Sequence, residues 1–406
     1  MNTRTSVPSR STVTLDKVDG DLSVGEHSTV KGTGTPPILE VAGTVYCEGD
    51  NVFECTLSAE NLEAEEDVTV HGDLEIENEV EVEDGRLEIH GKMTAKQVNV
   101  DEALLVDEDL VSEEIDVGGS LKVEGKVKAK DIDVGGSFRV KGEAEIVEIS
   151  VGGSLLIESK SNIRELEVGG TAEVNGGRIS EIDVGGSFES KDQLEFESID
   201  VGGTVRLSNK NKGGDIDVGG SFTVDGDLNF QDIDVGGKVE IRGSGEGREI
   251  DVGGTLDAGG SLKLSGTLEV GGRIEVEGEV SAKGIEVGGR LRAKKATAED
   301  NVEVGGSIET VEGTSASFVE IGSRGEVHGP IRADRVEVGK DAHAENIVGK
   351  RVILRKGACA NNIYGESIVI EPHCCVNGEV QYTRELAIGE HVSLGKAPQK
   401  VDNIPY

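Results

Sequence analysis

The sequence predicts an all-β fold: a parallel β-helix, triangular in section, with about 22 coils of about 17 residues each. Three observations point there: a phrase that recurs at near-constant spacing, an apolar period of two, and a composition rich in glycine and poor in aromatics. The phrase stands out in IDVGGSLKVEGKVKAKDIDVGGSF, residues 115 to 138, where IDVGGS returns after 17 residues.

Taking the apolar residue before the glycines as an anchor gives Val117, Val134, Val151, Val168, Val184, Val201, Val218, Val235, Val252, Val270, Val287, Val304, Ile321 and Val338, in steps of 16, 17 or 18. Such self-similarity is the mark of a solenoid. The count extends upstream to Val24, Val41, Ala64, Val82 and Val100 and downstream to Leu354, Ile370 and Ile388. The step from Val41 to Ala64 is long, which predicts an insertion near residues 46–60, around Cys47 to Cys55.

Within a unit, apolar residues alternate with polar ones. After Val117 they fall at Leu121 and Val123, at Val127 and Ala129, then at Ile132 and Val134. That is three short strands, each with two inward residues and an outward one between them. No segment carries the i, i+3, i+4, i+7 spacing of a helix. Phe138, Phe188 and Phe222 share an inward place four residues after their anchors, so they read as core. Gly-Gly reads as the sharp turn between one coil and the next, with glycine tolerating positive φ. A phosphate-cradling loop would need a helix start beside it, and none follows.

Composition narrows function. With 59 glycines, no tryptophan and 3% aromatics, the 406-residue chain builds its core from Val, Ile, Leu and Ala. A net charge of −38 speaks against nucleic-acid backbones, and the shortage of aromatics against single-strand stacking. No apolar run approaches the ~18 residues of a membrane span, and the N-terminal stretch lacks the apolar middle of a signal peptide. The expectation is a cytoplasmic protein, with membrane contact through Arg4, Arg10 and Lys17 left open. Five cysteines at no zinc-finger spacing suit a reducing compartment and suggest no disulfide framework. No cofactor is expected.

The residue between the two apolar positions of IDV must point outward. Down the chain it is Asp116, Asp133, Ser150, Glu167, Asp183, Asp200, Asp217, Asp234, Asp251, Glu269, Glu286, Glu303, Glu320 and Glu337, an acidic ladder broken only by Ser150. Carboxylates about 4.8 Å apart repel by roughly 1 kcal/mol even in water. The face either stays solvated and keeps chains from sticking edge to edge, or collects cations non-specifically; calcium would want more oxygens converging than a flat ladder offers. The equivalent place on the next strand is mixed, as Lys122, Arg139, Glu173 and Arg206 show.

Toward the C-terminus the ladder place turns apolar at Ile353, Val369 and Ala387, a candidate contact patch. His343, Cys359 and Cys375 form an outward column in three successive coils. With His373 nearby they are weak candidates for a metal site; alternatively Cys359 and Cys375 suit a disulfide across neighbouring strands, or the column is plain surface. Cys374 falls inward and reads as packed.

The segment from about 319 to 395, with IRADRVEVGKDA and ESIVIEPHCCVNGEV, resembles the bactofilins, polymer-forming cytoskeletal proteins of bacteria with relatives in archaea. The resemblance covers about 90 residues well and the IDVGGS array more loosely. It implies a right-handed triangular β-helix without enzymatic activity, flanked by disordered tails, that stacks end to end into nucleotide-independent filaments. The family's pattern is one of packing, so no catalytic residue carries over. This chain departs from it in length, having several times the usual number of coils.

The domain plan that follows is a disordered tail over 1–17, one continuous β-helix over 18–395 and a C-terminal tail over 396–406. The leading function is a non-enzymatic scaffold that self-associates through its open ends and recruits protein clients. The alternatives are a non-polymerising strut and a polysaccharide lyase or hydrolase, whose cleft-forming long loops the near-constant coil length does not supply.

Overall fold

Short strands with alternating burial are the unit from which the chain is built. Glu114–Val117 runs exposed, buried, exposed, buried, and it pairs in parallel with Gln97–Val100 on one side and Asp131–Val134 on the other. The register has no slip, so Ile115 lies on Val98 and Ile132. A one-residue slip would turn every apolar side chain outward, and burying each Val, Ile or Leu stabilises by about 1.5–3 kcal/mol, so the pattern fixes the register.

The computed structural model describes residues 4–404, all-β with no helix among them. The chain divides into two units, Met1–Gly202 and Gly203–Tyr406. In the first, three strands make each coil: strands such as Ser120–Val123 and Ser137–Val140 stack in one column, the apolar pair at Val127 and Ala129 heads a second, and the IDV strands form a third. Thus the sequence-predicted fold, a parallel β-solenoid, is the one observed. The second unit repeats the plan with longer strands: Arg273–Val287 and Arg290–Val304 each run through corners that elsewhere interrupt the ladder. In both units the core is aliphatic, with Phe138, Phe188 and Phe222 at most 1% exposed.

Inward polar residues find partners inside. The Asn51 amide donates to the Gly25 carbonyl at 2.8 Å, and Ser161 Oγ donates to the Gly176 carbonyl at 2.9 Å. Unpaired at such depth, each would cost about 1–3 kcal/mol.

The Gly-Gly corners are not explained by positive φ. None of the VGG glycines has a positive φ; the reason is close approach instead. A Cβ on Gly153 would sit 2.5 Å from the Gly136 carbonyl oxygen, and one on Gly170 2.3 Å from that of Gly153. Each corner lies directly on the one before, leaving no room for a side chain. Left-handed residues do turn the corner, but where Gly-Gly is missing. Three residues after the anchor place, Arg10 (φ 56°), His27 (φ 53°) and Asp50 (φ 45°) near the N-terminus, and Arg324 (φ 61°), Asp341 (φ 57°), His373 (φ 65°) and His391 (φ 59°) near the C-terminus, take that conformation.

Three boundaries differ from the sequence expectation. Residues 4–17, placed in a disordered tail, begin the first coil: Arg4–Val7 pairs with Asp21–Val24, and Thr12–Thr14 pairs with Thr29–Lys31. Val7 is buried there, stacked on Val24, and Val18 is buried just after it; residues 1–3 lie outside the described residues. The insertion is not near 46–60 but at 32–37, the run GTGTPP. Val41 stacks on Val18, while the anchor place after Val24 is held by Cys47, so the extra residues precede Val41. They form a tight hairpin closed by Thr33 and Ile38, with a cis Thr35–Pro36 bond. In the C-terminal tail, Gln399–Lys400 pairs with Gln381–Tyr382; residues 405–406 lie outside the described residues.

Candidate functional site

Unbroken register places the ladder residues one above another. In the first unit Asp116 stacks on Asp133, then Ser150, Glu167, Asp183 and Asp200. In the second, Asp217, Asp234, Asp251, Glu269, Glu286, Glu303, Glu320 and Glu337 follow in the same way. An open groove of about 490 Å³ runs along the ladder from Asp251 to Glu320, walled by the Val-Gly corners. The charged residues that line it are all carboxylates.

Partial burial and mutual repulsion act on these groups together. Burial, then Glu286 and Asp251, pushes Glu269 above its ordinary range. Burial, then Glu337 and Glu303, does the same for Glu320, against a smaller opposing pull from Arg335 and Arg355. Upstream in the same column Glu81 is also raised, by burial first and then by Glu79 and Glu83. Glu337 ends the trend: burial alone would raise it, but hydrogen bonds from Arg355 and Arg335 outweigh that and leave it lowered.

Arg355 marks the change of surface. Its guanidinium reaches Glu337 at 2.5 Å and Glu371 at 2.9 Å, in the coils on either side of its own. Beside this bridge the apolar column Ile353, Val369, Ala387 is in register but is not one exposed patch. Ile353 is only 6% exposed, Val369 is half-buried, and Ala387 alone lies fully open. The anchor column opens at the same end: Ile388 is 44% exposed, while Leu354 and Ile370 in the coils before it are 0% and 1% exposed.

The His343, Cys359, Cys375 column is aligned by the same pairing, and the two cysteines are joined in a disulfide with Cα atoms 4.6 Å apart. His373 does not join the column but stacks on His391 at 5.2 Å. Among the described residues no group of three or more His, Cys, Asp or Glu is arranged to hold a metal ion, because strands at a fixed spacing keep their side chains parallel. The bond is the one that the placing of Cys359 and Cys375 on neighbouring strands allows. Cys374 is packed, as its place predicts.

At the N-terminus Arg4 lies over the Tyr46 ring at 4.6 Å, and Arg10 sits in the left-handed turn. No helix among the described residues is long and apolar enough to cross a membrane.

Sequence reading missed a second anionic column. Glu114, Asp131, Glu148, Glu165 and Glu181 stack two residues before the ladder, and Asp131 is raised by burial first and then by Glu148, Glu114 and Asp133. The signal was present in the letter before each IDV, which period two also turns outward.

Compared with known proteins, the chain matches no family model, no curated protein and no solved structure.

Proposed function

We propose that this protein is a non-enzymatic structural scaffold that assembles end to end through its terminal coils. The observation that carries this reading is the uncovered anchor column at the C-terminal end, where Ile388 is 44% exposed. Glu385–Ile388 pairs with Ser367–Ile370 on one side, and among the described residues no further strand continues the anchor column on the other, which leaves an edge that another strand can join. At the other end Arg4–Val7 pairs only with Asp21–Val24 among the described residues. An end that presents both apolar core and unpaired backbone favours one occupant, the complementary end of another copy.

The absence of catalysis is part of the proposal. Its support is the small size of the inserted loop at residues 32–37, which builds no cleft, and a ladder groove whose charged residues are all carboxylates. General acid–base work on a sugar needs paired carboxyl groups with different environments; the ladder offers such a contrast at Glu320, raised, and Glu337, lowered, but there Glu337 is held in hydrogen bonds from Arg355 and Arg335. The bactofilin likeness of residues 319–395 belongs to the same proposal and rests on its sequence phrases.

Electron microscopy of the purified protein tests the reading. Filaments should form, and Ile388→Asp should shorten or abolish them while leaving the circular dichroism spectrum unchanged. Separate particles at every salt and protein concentration would remove polymerisation and leave a single-chain strut.

A further inference from the structure

Outside the ladder, the first unit carries a surface of the opposite character. An apolar groove of about 690 Å³ crosses successive coils between Ala95 and Ser180, at the corner that leads into the IDV strands. Two of the few large exposed hydrophobic side chains, Val111 and Val147, each 42% exposed, line it. The floor is made by edges of core residues such as Ala129 and Ile146. Neither valine is needed in the core, and both lie where a soluble solenoid would place charge.

The charges around it are inverted too. Five Lys and Arg but only two Glu line the groove, in a chain of net charge −38. The cations on one rim are ordered. Lys96, Glu113, Lys130, Val147 and Arg164 occupy the same corner place in successive coils, since Glu113 N bonds to the Lys96 carbonyl, Lys130 N bonds to that of Glu113, and paired neighbours bracket Val147 and Arg164. Lys96, Lys130 and Arg164 therefore recur on every second coil, about 9.6 Å apart at the usual strand spacing.

That interval is a chemical address. One turn of polyproline II chain, three residues, covers about 9.3 Å and returns the side chain to the same face, so acidic side chains three residues apart would meet these cations in turn. The local partners do not preclude it: Lys96 donates to Asn78 Oδ1 at 2.8 Å, Lys130 pairs with Glu113, and Arg164 pairs with Glu148 and with Glu165 at 3.3 Å. All are exposed contacts, which an incoming carboxylate can displace or share.

We infer that this groove docks a segment of a partner protein in polyproline II conformation that carries an acidic side chain at every third position and apolar side chains between. Val111 and Val147 cover the apolar side chains, and the cationic rim sets register. The site lies away from both chain ends, so it is independent of filament formation.

Fluorescence anisotropy of the full chain with a fluorescein-labelled peptide bearing Glu at every third position, Val and Thr between, tests this. Lys130→Glu combined with Arg164→Glu should weaken binding about tenfold or more, and Val147→Asp, which keeps both cations, should weaken it as well. Circular dichroism and filament formation should not change, which separates this result from failure of the scaffold reading. Equal binding of a peptide with the same Glu residues clustered would overturn the register. No binding at about 1 mM peptide would overturn the site. Self-association lost in the double variant would assign the groove to a second copy of this chain instead.

Discussion

Replacing one corner glycine isolates the reason those glycines are there. In Gly153→Ala the new Cβ would lie 2.5 Å from the Gly136 carbonyl oxygen, which is backbone and cannot rotate away. Restoring an ordinary contact near 3.4 Å requires the two corners to part by about 0.9 Å, against an interstrand spacing of about 4.8 Å. The Gly153 N to Gly136 O hydrogen bond, now 2.9 Å, would be stretched past usefulness. Its loss costs about 1 kcal/mol and overpacking about 1–3 kcal/mol, so about 2–4 kcal/mol in all is the expected destabilisation. At about 2–4 °C per kcal/mol for a unit of this size, the melting temperature should fall by about 4–16 °C by calorimetry. Ser154→Ala, exposed and next in sequence, should change it by less than about 2 °C. Gly153→Asn separates the two explanations of the motif. Asparagine tolerates a left-handed backbone better than alanine does, so a φ requirement would make Asn the milder change. Stacking makes it at least as harmful. An unchanged melting temperature for Gly153→Ala, or a milder effect of Asn, would refute the close-approach argument.

The ladder and the cysteines give further expectations. Glu286→Gln removes one charge between Glu269 and Glu303 and should raise the melting temperature at low salt, with the gain fading above about 0.5 M salt as screening replaces it. Stability should rise as pH falls from neutrality toward 4.5, because Glu81, Glu269 and Glu320 have folded pKa values raised above 4.5 and the native state there binds more protons than the unfolded one. Below 4.5 the trend should reverse, as protonation removes the pairs of Glu337, lowered in the fold, and of Glu124, held down to about 2 by hydrogen bonds from Lys122 and Lys141; a stability maximum at neutral pH would contradict this balance. Reduction with dithiothreitol, or Cys375→Ser, should cost the terminal coils about 2–3 kcal/mol, seen as faster hydrogen exchange confined to residues near 359–394. A thiol reagent should find Cys47, Cys55 and Cys374 unreactive in the native protein, since burial raises all three, Cys55 to about 11, and should find three thiols once the unreduced chain is unfolded.

Period-two alternation and a 17-residue repeat determined the fold class by themselves, because in a parallel stack each coil's inward residues must match those above and below. For the same reason the ladder could be listed residue by residue before any coordinates: strand register is set by burial, and burial is written in the letters. The N-terminal coil was hidden because Arg4–Val7 and Thr12–Thr14 hold few apolar residues and lack Gly-Gly, although Val7 and Val18 complete buried columns. The insertion was misplaced because Val41, an apolar residue at a plausible distance, imitated an anchor that belongs to Cys47. GTGTPP itself was the better signal, since two prolines and two glycines cannot continue a ladder.

Other features depended on distances between residues far apart in sequence, which no local pattern records. Only the tertiary structure showed that corner glycines are required by the carbonyl one coil below rather than by their own φ. It also showed that the Cys359–Cys375 pair is bonded while His373 turns to His391, and that Ile353 is buried beside Arg355 instead of exposed. The sequence determined which way each side chain points; the stacking of coils decided which of those side chains meet, because contact depends on the corner geometry that sets one coil against the next.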